Sequence, residues 1–221
     1  MSAARLIIFD CDGVLVNSEE IYQAAELEAL ASAGIIFEPS AYAQEFMGLS
    51  PVTWRTKLES VGLENAKPLS AEFFERMSDY TVDRLEEHLA ALPGAWDTIK
   101  RLPSLLCVAS STPFARLRWK LERTGLLELF DPNIFSSDMV ENGKPAPDLF
   151  LHAASAMRVH PSDSIVVEDS ANGVLAGKAA GMRVVGFVAG KHCGGDHGSS
   201  LLRAGADMIV SDYRGLEALL S

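Results

Sequence analysis

The stretch FDCDGVLVNSEE, residues 9–20, ends a short apolar run and turns at once into two aspartates one residue apart, Asp10 and Asp12, followed by Gly13. An apolar, β-branched run of this length, bounded by a turn residue, reads as a buried strand. Two carboxylates at its mouth are expensive. At ~4 Å and an effective dielectric of ~20, a like-charged pair costs about 4 kcal/mol. Either some of the acids protonate or positive charge, from the chain or from a bound cation, offsets that cost.

Working outward, similar runs recur at 105–109, 134–135, 165–167, 184–188 and 208–210. Amphipathic stretches at 114–124, 148–157, 173–180 and 214–220 lie between them, two closed by Gly125 and Gly181. Continuously apolar strands alternating with helices predict a doubly wound, Rossmann-like α/β fold with a parallel sheet covered on both faces. The first two strands are about 95 residues apart, whereas a strand, crossover and parallel strand take ~30. The excess reads as helices at 19–33, 40–47, 51–61 and 70–87. In the first, Ile21, Ala24, Ala25 and Ala31 share a face with Leu27 and Leu30 near its edge, and Glu19, Glu20, Glu26 and Glu28 carry the charge. The expected organisation is a core of 1–15 plus 91–221 and a helical cap of 16–90. Ligands in open α/β sheets sit beyond the carboxyl ends of the strands, so an insertion leaving that edge is placed to act as a lid.

The chain has 221 residues, 48% hydrophobic and 22% charged, with a formal net charge of −11. These are the values of a globular protein whose field repels nucleic acid and anionic membranes. Neither is an expected partner, and an anionic substrate needs a local cation. Three cysteines, Cys11, Cys107 and Cys193, lack any CxxC pair and suggest reduced thiols. The first residues lack the pattern of a secretory signal, and no apolar segment reaches the ~18 residues of a membrane helix. A cytoplasmic monomer or weak homodimer is expected.

The other strand ends supply what the first one needs. The second gives Ser110, Ser111 and Thr112; the loop after the third gives Lys144; the fourth gives Glu168, Asp169, Ser170 and Asn172. One lysine does not neutralise four acids. Oxygen-only ligands without His or Cys favour Mg²⁺, which often combines one or two carboxylates with waters and a substrate phosphate. Ser110 and Lys144 then suit phosphoryl oxygens. Each group alone has an ordinary reading: a DxDG turn, Ser110 as a helix N-cap, Lys144 as a surface residue. Their ordered arrival on successive strand ends favours a site.

With those four stations in place the sequence resembles the haloacid dehalogenase superfamily, in particular its phosphatases with a helical cap after the first motif, the β-phosphoglucomutase and 6-phosphogluconate phosphatase-like group. The resemblance rests on FDCDGVLVNSE, Ser110 in VASST, Lys144 in GKPAPDLF, and VVEDSANGVLAGKAAGM. It implies that Asp10 is a nucleophile forming an aspartyl-phosphate and that Asp12 is the general acid and base. It implies Mg²⁺ held by Asp10, Asp169 and the main-chain carbonyl of Asp12, with Glu168 as a further candidate. Ser110, Lys144 and backbone N–H groups near Cys11, Asp12 and Ser111 would hold the phosphoryl group, with Asn172 nearby. The implied substrate is a small phosphorylated metabolite.

Departures narrow this. Asp12 disfavours dehalogenation; Tyr22 and Pro51 stand where mutase-type members usually carry histidine and arginine. Phosphomonoester hydrolysis is the reading that is left, with a phosphomutase and a non-catalytic phosphometabolite-binding protein as alternatives. In the cap, Gly48, Ser50, Arg55 or Lys57 could face the substrate, and Trp54 reads as core. In the segment KHCGGDHG, 191–198, His192, Cys193, Asp196 and His197 could bind a soft metal, but the spacing matches no structural zinc pattern; the glycines read as a mobile loop after the fifth strand, with a place bordering the active site as the alternative.

Overall fold

The computed structural model describes residues 4–46 and 51–220. In chain order its elements are β1 (Leu6–Phe9), α1 (Ser18–Ser32), α2 (Pro39–Phe46), α3 (Pro51–Glu64), α4 (Ala71–His88), α5 (Ala95–Ile99), β2 (Leu105–Ser110), α6 (Phe114–Arg123), α7 (Leu127–Phe130), β3 (Ile134–Ser136), α8 (Asp148–Ala156), β4 (Ser164–Glu168), α9 (Ala171–Ala179), β5 (Arg183–Phe187), α10 (His197–Ala204), β6 (Met208–Val210) and α11 (Tyr213–Leu220). Two compact units emerge. One takes the chain up to Asn17 and again from Ala90; the other is Ser18–Leu89.

The first unit is the expected doubly wound sheet, parallel throughout, in the order β3-β2-β1-β4-β5-β6. Alternation of side chains along each strand divides the core. Leu6 and Ile8 point with Val166 and Val184 towards Leu149, Phe150 and Ala153 of α8 and Val174 and Ala176 of α9. On other contacts Phe9 meets Phe130 of α7 edge-on, and Phe187 meets Tyr213 of α11. Cys11 and Cys107 are buried thiols. No helix among the described residues is long and apolar enough to cross a membrane.

The second unit is all-helical, with a core of Leu30, Ile35, Tyr42, Phe46, Leu58, Phe73, Phe74 and Met77. α4 opens on Ser70, whose hydroxyl accepts from the Phe73 N–H at 3.2 Å. Trp54 packs against this core, as the sequence suggests. Arg55 pairs with Glu59 at 3.0 Å, and the Lys57 ammonium donates to the Glu45 carbonyl at 2.8 Å. One expectation needs correcting. In α1 the buried positions are Ser18, Ile21, Ala25 and Leu30, while Ala24 and Ala31 are exposed. The larger Leu30 takes the inner position, and the alanines are left to solvent. Glu26, expected on the charged face, is half-buried and accepts from the Tyr42 hydroxyl at 2.7 Å.

Candidate active site

Strand order reverses between β1 and β4, and at such a switch point the loops diverge and leave a crevice. Asp10 follows β1, its N–H bonded to Val167 O at 3.0 Å, and Glu168 and Asp169 end and follow β4. The ladder therefore delivers three acids to one place. Asp10, Glu168 and Asp169 each offer an oxygen within 4.8 Å of the others, and they are only 7%, 1% and 6% exposed.

Lys144 enters from the loop before α8. Its ammonium donates to Asp10 Oδ1 at 2.6 Å, Glu168 Oε1 at 2.7 Å and Ala109 O at 3.0 Å. Burial alone would lower its pKa, but Asp10 and Glu168 outweigh burial and hold it protonated, above the ordinary lysine value. Burial, and then the neighbouring acids, push Asp10 well above the usual carboxylate range despite Lys144. Asp169 is raised by burial, Glu168 and Asp12. Three acids against one ammonium leave an excess of two negative charges if all ionise. A divalent cation with oxygen ligands fits that excess, the donor set and the spacing.

Asp12 lies outside this trio and has its own support. Its Oδ2 accepts from the Thr112 hydroxyl at 2.7 Å, and its Oδ1 is in contact with the ammonium of Lys120, whose side chain is fully buried. Gly13 makes the turn possible: its φ is +72°, and a Cβ there would lie 1.8 Å from Asp169 Oδ2. Cys11 has its thiol pKa pushed far up, chiefly by burial, so it contributes no thiolate.

Ser110, at the end of β2, is 1% exposed and accepts from the Thr112 N–H at 3.1 Å. It does not cap α6. The N-cap there is Pro113, and Asp138 accepts from the Phe114 N–H at 2.7 Å. Ser111 is exposed, its carbonyl accepting from Ser137 at 2.8 Å, and Asn172 is half-buried in the first turn of α9. Ser170 caps that helix, accepting from the Gly173 N–H, and donates to Glu168 Oε2 at 2.9 Å. Gly48 and Ser50 lie outside the described residues.

Of the two readings of the segment 191–198, the bonds it makes favour the one that borders the site. His192 is 5% exposed with Nε2 at 2.8 Å from Asp169 Oδ2, and α10 begins at His197, whose Nε2 lies 2.6 Å from the Asp169 carbonyl oxygen. Lys120 and the two histidines were therefore missing from the residues expected at the site. Lys120 had a readable signal, standing three residues after Leu117 and one before Leu121, on the apolar face of α6. The histidines had only their spacing.

The geometry has counterparts. The family model for haloacid dehalogenase-like hydrolases matches residues 4–181. The 6-phosphogluconate phosphatase of Escherichia coli K12 is 32% identical over 193 residues, 87% of this chain and 86% of that protein. A haloacid dehalogenase-like protein from Agrobacterium tumefaciens superposes with a TM-score of 0.91 at 36% identity, covering 98% of this chain and 97% of that one. A family hydrolase from Deinococcus radiodurans, solved with bound phosphate and sodium, gives 0.87 at 28% identity, covering 100% and 96%.

Proposed function

Because the chain belongs to the haloacid dehalogenase-like hydrolases, we propose that it is a Mg²⁺-dependent phosphomonoesterase acting on small sugar phosphates, with Asp10 as nucleophile. The observation that carries this is Lys144 bridging Asp10 and Glu168 beside Asp169, in a buried cluster with charge to spare for a divalent cation.

Asp10, Asp169 and the Asp12 main-chain carbonyl would hold the ion. Both Glu168 oxygens already accept hydrogen bonds, from Lys144 and from Ser170, so Glu168 adds charge and aims Lys144 before it adds a metal bond. Mg²⁺ bound there would supply positive charge to the phosphoryl oxygens and so ease the approach of an anionic nucleophile to phosphorus. Asp10 attacks phosphorus in line, forming an acyl phosphate as the bond from phosphorus to the sugar oxygen breaks. Asp12 gives its proton to that departing oxygen, then takes one from the water that cleaves the acyl phosphate. Phosphate leaves and Asp10 is restored. Lys144 and Ser110 bind equatorial oxygens, and Thr112 and Lys120 fix Asp12 in one orientation. The helical unit, Ser18–Leu89, selects the substrate as a lid.

A panel of sugar phosphates beginning with 6-phosphogluconate, the substrate named for the E. coli relative, tests this. Phosphate release is expected, abolished by EDTA and reduced on the order of 10⁴-fold or more in Asp10→Asn. An Asp10→Asn variant with full activity refutes the nucleophile. Conversion of β-glucose 1-phosphate with a trace of bisphosphate into glucose 6-phosphate, without free phosphate, establishes the mutase instead.

A further inference from the structure

We propose that the segment 191–198 is a strap that aims the metal-binding carboxylate, with His192 a positioning residue that sets divalent-cation affinity by holding Asp169. The inference rests on the reading of Asp169 as a metal ligand and adds to it a source of orientation outside the four motifs.

Asp169 is held at two points by residues five apart on one segment. His192 Nε2 stands 2.8 Å from its Oδ2; with Asp169 ionised, as a metal ligand must be, the carboxylate only accepts and that nitrogen donates. His197 Nε2 donates to the main-chain oxygen of the same residue at 2.6 Å. One bond fixes the side chain, the other the backbone. The His192 ring sits in a slot with no room to spare: a Cβ on Gly190 would come 2.3 Å from its Cε1, and one on Gly13 2.9 Å from the same atom. Gly13 belongs to the first motif, so the turn that presents Asp12 also walls the ring. Turns knit the strap itself, with Cys193 N bonded to Gly190 O at 3.0 Å and Gly194 N to His192 O at 2.9 Å. A carboxylate bonded through one oxygen offers the other to a cation at a fixed angle. Such outer bonds typically govern 10–100-fold of metal affinity. Cys193 Sγ lies 3.1 Å from His192 Nε2, so Asp169, His192 and Cys193 also form a group in which the ring would be a ligand rather than a guide.

Mn²⁺ titration followed by electron paramagnetic resonance, with Mg²⁺ as competitor, separates these cases on the full chain. Asp169→Asn is expected to lose the bound signal; if it binds as the wild type does, the metal-site reading itself fails, independently of the strap. His192→Phe keeps the ring volume and removes the donor. Its Mn²⁺ Kd is expected to weaken about 10–100-fold, with activity lost at low Mg²⁺ and recovered at high Mg²⁺. His192→Gln, which returns an N–H near the same place, is expected to recover part of the affinity. A purely structural role would lower activity at every Mg²⁺ concentration and leave Kd unchanged. Wild-type Kd in folded His192→Phe overturns the proposal, and so does nitrogen hyperfine coupling from His192, which would make it a ligand. If circular dichroism finds His192→Phe unfolded, His192→Gln and His197→Phe decide: weaker Mn²⁺ binding in either supports the strap, and unchanged binding in both overturns it.

Discussion

Two carboxylates buried in this molecule are handled in opposite ways. Asp10, in the α/β unit, lies against the Lys144 ammonium and two further acids, an arrangement that keeps charge in the interior and calls for more positive charge. Glu26, in the helical unit, accepts from the neutral Tyr42 hydroxyl, which itself accepts from Trp54 at 3.0 Å. Burial pushes its pKa up to about 7, against the smaller opposing pull of those hydrogen bonds. Burial raises the pKa of both acids, but only Asp10 has an ammonium opposing the rise, and a cation bound beside it would oppose it further. The role proposed for Asp10 rests on that ammonium, whereas Glu26 is bonded by Tyr42 within the helical unit.

The contrast breaks most visibly at the lysines. Lys144→Met leaves Asp10 and Glu168 buried without their cation, and removing one partner of such a cluster costs about 3–5 kcal/mol. Urea melts in EDTA are expected to register that loss, and activity is expected to fall about 10³-fold. Lys120→Met comes next. Asp12 retains 16% side-chain exposure, so the cost should sit near the lower end, about 3 kcal/mol. Adding Asp12→Asn to Lys120→Met should recover part of the stability, because the stranded charge is gone. A second variant no more stable than the first would place the lysine's contribution in its apolar stem.

Glu26→Gln sharpens the other half. A pKa raised on folding gives stability that is complete below the unfolded value near 4.5 and is lost as pH rises through about 7. The wild type should therefore lose about 3 kcal/mol relative to Glu26→Gln between pH 4.5 and 8. Paired melts across that range read the difference directly. Parallel curves would mean that Glu26 is ionised in the folded unit.

This difference between the units also governs what could be read in advance. The six strands were legible because continuous apolar runs have few alternatives in a doubly wound fold, and the observed strands sit where those runs fall. The acids and Lys144 were legible together because they arrive in order on successive strand ends, although each alone has an ordinary reading. Thr112 and Lys120 bond Asp12 from β2's end and from the inner face of α6, a juxtaposition that only the packed helix creates. The segment 191–198 left two readings open for a related reason. Glycine density describes what a backbone is free to do, whereas His192 meets a partner 23 positions away that no local pattern reveals. Glu26 misled through periodicity, because the spacing that puts it among the glutamates of α1 says nothing of Tyr42 reaching it from α2.

Tyr42→Phe is the finest probe of the contrast. The ring's stacking on Phe46, at 4.6 Å between centroids, survives the change, so the substitution removes a hydroxyl and little else. That hydroxyl donates to Glu26 and accepts from Trp54, and its bond to Glu26 favours the ionised acid. Two consequences follow with definite signs. Stability at neutral pH should drop by about 1 kcal/mol for the lost hydrogen bonding. The Glu26 midpoint, followed by carbon-13 NMR of its carboxyl, should rise above that of the wild type, since burial then acts with less opposition. A midpoint that fell instead would mean that water had entered with the hydroxyl gone, and that the helical core, unlike the cluster around Asp10, can hydrate an acid it no longer bonds.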